Sequence, residues 1–434
     1  MATQKQPVRA SVAAFVGTMV EWYDFYIYGT AAALVLGQLF FPGGSPFERT
    51  LAAFGTFAVG FFARPLGGIV FGRMGDKFGR KKSLVITLSL MGVSTICVGL
   101  LPTYSSIGIA APVMLIGLRL LQGLAVGGEW GGAVLMASEH APSEKQNFFA
   151  SFAQLGSPAG LILSILSFRL VSSMDNDAFL SYGWRLPFLA SIVMLAIGIF
   201  IRTGVNESPE FEEMKEKKQL SDRPVFEAWT KAWPLILLAL AANALGISGG
   251  YFTNTFMITY AVQYLSMNKA LVLECIFYVA IIQFLTQPIG AWIASKISPF
   301  RFLVISSGIS ILLPYPMFIL VGTKVFSLMV LGIGMTMVGL CTFYAVIAGY
   351  TASVFPARFR YVGISLAYQL GGATFGGLTP LLGTVLAQRY IGQWWPMAVF
   401  FSIIAAISMF SVVWLQALHR RREAGEASAV FAAR

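Results

Sequence analysis

Five ionisable side chains stand inside stretches otherwise apolar enough to lie in hydrocarbon: Glu21 and Asp24 in the first, Arg64 in the second, Arg119 and Glu129 in the fourth. A charge at bilayer depth costs from about 3 to more than about 10 kcal/mol unless it faces a partner or a water-filled path. All five are therefore expected to point inward, onto a shared polar cavity. Glu21 and Asp24 are three residues apart and share a helix face. Two carboxylates on one cavity cannot both ionise cheaply, since each is desolvated and the two repel; a proton-coupling site needs that property. The same spacing also suits an acid paired permanently with an arginine to lock helices together. Arg64 and Arg119 are the matching cations, because a guanidinium stays charged and can grip a carboxylate through two parallel hydrogen bonds. Arg119 is expected to bind a substrate carboxylate or to exchange between it and an acid of the first stretch, with Glu129 as a further acid. A static ion-pair network is the competing reading.

Uncharged polar and aromatic residues on the other apolar stretches would complete such a site: Trp22, Tyr23, Tyr26 and Gln154 in the first part of the chain, then Asn243, Tyr251, Asn254, Gln283, Gln287, Tyr344, Tyr368 and Gln369. Charges early and neutral donors late suggest a division between proton work and polar recognition. For any single one of these residues, helix packing explains it as well as ligand contact does.

The elements that must position these residues follow from composition. Of 434 residues, 57% are hydrophobic and 11% charged, which places the chain among polytopic membrane proteins. A hydrocarbon core of about 30 Å takes roughly 20 apolar residues per helix, so this length accommodates about twelve. The spans read near 11–36, 50–73, 83–101, 107–137, 148–172, 184–203, 232–264, 270–294, 301–321, 325–352, 362–387 and 393–416. The fourth span carries glycines at 117, 123, 127, 128, 131 and 132, which leave one face bare for another backbone or a ligand to approach. The formal charge of +11 sits in short segments between apolar runs, a positive-inside pattern that sets topology rather than a nucleic-acid partner. It places both termini in the cytoplasm. Cys97, Cys275 and Cys341 lie alone in apolar runs and read as packing residues, with no metal or disulfide spacing. His140 and His419 fall in polar segments and read as solvated. No catalytic constellation and no loop long enough for a catalytic domain is present, so an enzyme is not expected. Neither is a cofactor or a metal.

One long polar connection splits the chain into an N-terminal six-helix half (1–203), a linker (204–231), a C-terminal six-helix half (232–416) and a tail (417–434). Loop signatures repeat weakly between the halves: Asp76-Lys77-x-Gly79-Arg80 against Ser295-Lys296-x-Ser298-Pro299, and Glu139-x-x-Pro142 against Ser353-x-x-Pro356. The segment Gly72 to Lys82 lacks the flanking strand and the ending of a phosphate-binding loop. It reads instead as a cytoplasmic latch: Asp76 accepts from a neighbouring helix N-terminus, where backbone N–H groups and the dipole favour an anion, and Arg80 and Glu139 extend it.

The two halves, the Gly72 to Lys82 loop, Arg119-x-x-Gln122-Gly123 and Glu139-x-x-Pro142 resemble the major facilitator superfamily. Within it, Glu21-Trp22-Tyr23-Asp24-Phe25, Arg64-Pro65-Leu66-Gly67-Gly68, Gly127-Gly128-Glu129-Trp130-Gly131-Gly132, Gly183-Trp184-Arg185 and Glu207-Ser208-Pro209 resemble the bacterial metabolite:proton symporters, which carry shikimate, alpha-ketoglutarate, citrate and proline or betaine. The resemblance implies a twelve-helix, all-α inner-membrane protein that imports a small organic acid with a proton, as a monomer. Uncoupled or exchange movement of a zwitterion or neutral metabolite is the alternative. Ser295 and Ser353 depart from the acids usual in the second half, and the tail after Gln416 lacks a heptad pattern. If the latch reading holds, Asp76→Asn should cut turnover in a transport assay at least several-fold while substrate affinity changes little; equal loss of both would contradict it.

Overall fold

The computed structural model describes residues 6–129, 133, 136–137, 140–142, 146–207, 212, 224–354 and 360–432. At 72–73, 75–77, 146–151, 154, 224–232, 291, 352–353, 360–362 and 421–432 it describes the backbone alone. Every element is helical, and no strand occurs among the described residues. In chain order the helices are α1 (Pro7–Ala31), extended by a π-turn at Ala32–Leu36 and a last turn at Gly37–Phe40; α2 (Pro46–Phe78); α3 (Arg80–Leu100); α4 (Ala110–Gly127); α5 (Gln146–Ser172); and α6 (Leu186–Thr203). There follow α7 (Pro224–Ala242), continued past Asn243 by Ala244–Gly250 and π-turns at Tyr251–Phe256 and Tyr260–Tyr264; α8 (Lys269–Ile297); and α9 (Pro299–Leu312), continued by Pro314–Gly322. The last are α10 (Phe326–Val354); α11 (Arg360–Gly371), continued by a π-turn at Gly372–Gly376 and by Leu378–Arg389; and α12 (Trp395–Ala432).

Ten described helices are long and apolar enough to cross a bilayer, or eleven if the bent α7 is one span. α1 concentrates Glu21, Asp24, Trp22, Tyr23, Tyr26 and Tyr28 in one stretch and is not among them. Large apolar side chains face outward from the bundle, Phe200 at 80% exposure, Leu170 at 74% and Trp414 at 63%. A surface of that kind belongs in lipid rather than water.

Packing follows a rule that repeats along the chain. α1 packs on α5, α2 on α4 and α3 on α6, and in the same order α7 on α11, α8 on α10 and α9 on α12, while comparably extensive contacts join α9 to α10, α5 to α8 and α2 to α11. Lipid tails are as apolar as a leucine side chain, so such pairs are held by close van der Waals contact. The glycine face of α4 provides it: a Cβ on Gly123 would fall 1.9 Å from the Gly60 carbonyl oxygen, and one on Gly127 would fall 2.0 Å from that of Arg64. α2 and α4 therefore touch backbone to backbone, as the glycine spacing led one to expect.

Two turns carry the weak internal repeat into the backbone. Gly79, between α2 and α3, has φ 106° and ψ 145°, and Ser298, between α8 and α9, has φ 107° and ψ 130°. That conformation suits glycine and strains any residue with a Cβ, by about 1–3 kcal/mol. Ser298→Gly should therefore raise the thermal midpoint of the purified protein, by about 1 kcal/mol or more of stability, and Gly79→Ala should lower it. A fall with Ser298→Gly, or a rise with Gly79→Ala, would show that the two turns are not equivalent.

Candidate functional site

α1 presents its polar residues to two different surroundings. Asp24 is 1% exposed and points into the space between α3 and α6. Thr95 donates to one of its oxygens at 2.7 Å and Ser191 to the other at 2.8 Å. Gln122 donates to Thr95 at 2.7 Å, and Arg119 donates to the Gln122 carbonyl oxygen at 2.7 Å and to that of Phe57 at 3.3 Å. Asp24 and Arg119 are thus joined through two intermediaries rather than by a direct ion pair. The Arg119 guanidinium lies 4.0 Å from the centre of the Tyr28 ring and 4.9 Å from that of Phe25, so aromatic faces supply much of what water would. Its Nε alone lacks a hydrogen-bond partner.

Glu129 is also answered within this group of helices. Its carboxylate accepts from Arg202 of α6 and, at 2.7 Å, from Thr87 of α3, while Arg202 donates at 2.8 Å to the Leu84 carbonyl oxygen. Arg202, absent from the sequence-based site, is 5% exposed and crosses α1 where Gly17 has no side chain to stop it. Tyr23 belongs here too: its hydroxyl donates to the Pro187 carbonyl oxygen at 2.7 Å and meets Ser167 at 3.2 Å.

The opposite side of α1 looks toward α7, α8 and α10. Trp22, Tyr26, Ser157, Tyr251, Gln283 and Tyr344 line a small cavity there of about 20 Å³, and Cys341 adds a thiol to its wall. Trp22 stacks on Tyr26 and Tyr251 with ring centres 5.4 and 6.1 Å apart. The Tyr344 and Tyr368 hydroxyls share a hydrogen bond of 2.7 Å. Tyr251 and Gln283 on this wall, and Asn254, Gln287 and Gln369 elsewhere on the late helices, hold buried polar atoms that go unanswered among the described residues. The Tyr251 hydroxyl, both amide atoms of Asn254, the Gln283 oxygen, both amide atoms of Gln287 and the Gln369 oxygen have no hydrogen-bond partner. Each such group costs about 1–3 kcal/mol unless water or another molecule meets it.

Glu21 and Arg64 stand between these surroundings. Glu21 is 3% exposed and makes no hydrogen bond or ion pair with any described residue. Arg64, also 3% exposed, is held between the Phe25 and Phe61 rings at 4.2 and 4.1 Å and likewise donates no hydrogen bond. It reaches α11: a Cβ on Gly372 would lie 3.8 Å from its Nη1. Glu21 is within electrostatic reach of Arg64, and both are within reach of Tyr251 and Tyr368.

Contacts between the early and the late helices bracket the cavity. At one side Gln369 donates to the Gly127 carbonyl oxygen at 3.1 Å. At the other, Gln263 donates to Thr50 at 2.9 Å, and Arg169 pairs with Glu274 at 3.1 Å. Asn243 marks the break in α7 and spends its amide on the Ala239 carbonyl oxygen at 2.7 Å. The side chains of Gln154, Gly72 and Asp76, and Glu139 altogether, lie outside the described residues. His140, expected to be solvated, is fully buried with Nδ1 3.0 Å from the Met136 carbonyl oxygen.

The N-terminus of α3, where the segment Gly72 to Lys82 ends, holds an acid from beyond α6. Glu207, beyond the end of α6, accepts from the backbone N–H groups of Arg80 and Lys81 at 3.1 and 3.2 Å, and Lys81 reaches back to the Thr203 carbonyl oxygen at 2.7 Å. Gly79 ends α2 and lets α3 start at Arg80. The signal lay in the Glu207-Ser208-Pro209 motif, whose acid had been assigned no partner.

A helical bundle with buried charges in one part and a polar cavity between early and late helices defines a multi-pass membrane transporter. Residues 10–228 match the family described as "Sugar (and other) transporter". The chain is 38% identical over 401 residues to the shikimate transporter of Escherichia coli K12, covering 90% of each. It is 33% identical over 418 residues to the glycine betaine/proline/ectoine/pipecolic acid transporter of Dickeya dadantii, covering 94% of this chain and 83% of that one. An inner membrane metabolite transport protein of E. coli is 35% identical over 387 residues, covering 87% of this chain and 88% of that one. The crystal structure of a D-xylose-proton symporter superposes with a TM-score of 0.74 at 15% identity, covering 94% of this chain and 97% of that one. The chain belongs to the sugar (and other) transporter family of the major facilitator superfamily. It is a multi-pass transporter of small metabolites, of the kind found in the bacterial inner membrane, and not an enzyme.

Glu207→Ala should destabilise the purified protein by about 1 kcal/mol or less, the scale of a partly exposed helix cap. Thermal unfolding measures it, and an unchanged midpoint would mean the cap is not held in solution.

Proposed function

We propose that the protein is a proton-coupled symporter that imports a small organic acid by alternating access. The observation that carries this reading is the set of unpaired buried polar atoms on the late helices, those of Tyr251 and Gln283 on the wall of one aromatic-lined cavity, beside the unpartnered Glu21 and Arg64. Neutral amides and hydroxyls can receive hydroxyl groups of a substrate, aromatic faces its ring or carbon skeleton, and a guanidinium its carboxylate. An acid nearby supplies the proton site. Two relatives support the class by their names, one a shikimate transporter and one a D-xylose-proton symporter.

In this reading the chain crosses the bilayer twelve times, with α1 and the bent α7 counted as spans and both termini cytoplasmic. The repeated packing pairs correspond to two halves, 1–203 and 232–416, joined by the linker 204–231 and followed by the tail 417–434. The halves rock about the cavity, so that contacts such as Gln369 to Gly127 and Gln263 to Thr50 open in alternation. The protein acts as a monomer. A second reading, uncoupled or exchange transport of a zwitterion, is favoured by the relative named for betaine and proline and by the mostly neutral cavity wall.

Proteoliposomes decide between them. With acid outside by about one pH unit, one-to-one symport of shikimate supports about tenfold accumulation and alkalinises the external medium. A protonophore should abolish both. Accumulation of glycine betaine with no proton movement would favour the second reading instead.

A further inference from the structure

Three arginines are buried in the first six helices; Arg202 is taken up by Glu129, and the surroundings of Arg64 and Arg119 differ in kind. Arg119 is already engaged: the Gln122 side chain and the Phe57 carbonyl oxygen accept from it, Tyr28 covers its face, and Gln122 and Thr95 bind it to Asp24. A ligand reaching Arg119 would have to break that chain of bonds. Asp24 is equally satisfied, with a hydroxyl on each oxygen. Arg64 and Glu21 present the reverse case. Both are buried, neither makes a hydrogen bond, and both stand where α1 and α2 meet the late helices.

We infer that Arg64, and not Arg119, is the cation that receives the ligand's carboxylate, and that Glu21 is the acid whose proton is exchanged as the ligand comes and goes. Asp24 and Arg119 are positioning residues that hold α1 against α3, α4 and α6. This rests on the organic-acid symport reading and assigns its roles. The groups facing Glu21 are Arg64 from α2, Glu129 just past α4, Arg202 from α6, Asp24 on its own helix, and Tyr251 and Tyr368 from the late helices. Arg202 is committed to Glu129, which leaves Arg64, among the described residues, as the cation facing Glu21 whose charge is not already shared. A carboxylate that takes the two parallel hydrogen bonds of the Arg64 guanidinium removes the positive charge balancing Glu21. Glu21 then binds a proton from water at Oε2, its unpartnered buried oxygen. Ligand departure returns Arg64 to Glu21, and the proton leaves to water on the other side. Ligand and proton are thus linked through one guanidinium without touching each other.

The test uses detergent-purified full-length protein and two probes, shikimate and its uncharged methyl ester, with binding read by thermal shift and by calorimetry. Wild type should prefer the acid, and its affinity should rise as pH falls through the range in which Glu21 titrates. Arg64→Gln should lose at least about tenfold in affinity for the acid, the scale of a charge-assisted bidentate contact, and bind the ester as wild type does. Should Arg64→Gln fail to fold, Arg64→Lys keeps the charge without the fork and should weaken acid binding while leaving the ester unchanged. Glu21→Gln should bind the acid with no dependence on pH. Arg119→Lys should keep the acid-over-ester preference within about threefold while lowering the melting temperature, as expected for a residue acting through packing. If Arg64→Gln retains the preference, or Arg119→Lys abolishes it, this assignment is wrong although symport of organic acids stands. If wild type binds neither shikimate nor any other acid of a small carboxylate panel, the organic-acid reading itself falls, and this one with it.

Discussion

Ionised groups in a hydrocarbon slab must be answered on the spot, and the way Asp24 is answered organises the first half of this protein. The carboxylate is not met directly by an arginine. Hydroxyls from α3 and α6 take its two oxygens, and an amide from α4 passes the link on to Arg119, which ends on a backbone carbonyl of α2. Five helices are joined by one run of hydrogen bonds. Glu129, Arg202 and Thr87 form a second tie among the ends of α3, α4 and α6. Breaking either would leave a buried charge without its partner, at a cost of several kcal/mol. Such ties favour motion of these helices as a unit over motion within them.

The second group of helices is built on a different principle. Its buried polar residues are neutral, and several of their hydrogen-bonding atoms are unmatched: Tyr251, Asn254, Gln283, Gln287 and Gln369. A fold selected only for stability would have replaced these residues with apolar ones of similar size. Their retention on the late helices, with Tyr251 and Gln283 at one cavity, places the strain where a ligand could relieve it. Glu21 and Arg64 extend the same unanswered character to the first group, at the surface it turns toward the second.

Much of this was legible in the residues. Apolar runs, inward charges and the glycine face of α4 follow from the cost of exposing polarity to lipid, and Gly123 and Gly127 make the backbone contact their spacing implied. Which charge meets which partner was not legible. Residues three apart on a helix are separated by about 60° when each advances about 100°. Sharing a face therefore did not mean sharing a cavity: Asp24 turns to α3 and α6, while Glu21 looks toward the late helices. Arg202 escaped notice because a basic residue in the last turn of a span reads as a topology signal or as a side chain snorkelling to the surface. Only the gap above Gly17 reveals that it runs inward. Tyr23 shares a sequence cluster with Trp22 and Tyr26, and helical rotation sends its hydroxyl to α5 and α6.

The π-turns give the two halves different freedoms. Those of α7 at Tyr251–Phe256 and of α11 at Gly372–Gly376 lie at the interface with the first group, one bearing Tyr251 and Asn254 and the other facing Arg64 and Phe61. A π-turn admits an extra residue per turn with poorer hydrogen-bond geometry, so it is a place where a helix yields at low cost and often lies at functional sites. α3, α4 and α6, tied by the charged networks, contain none among the described residues. Deformability thus sits on α7 and α11, and on α1 beyond its charged stretch at Ala32–Leu36, and stiffness on α3, α4 and α6. If binding at the cavity satisfies the stranded atoms of α7, it also shifts the balance of the turn that carries them. The first half, held by its own charges, would then serve as the surface against which that change is converted into movement of one half over the other.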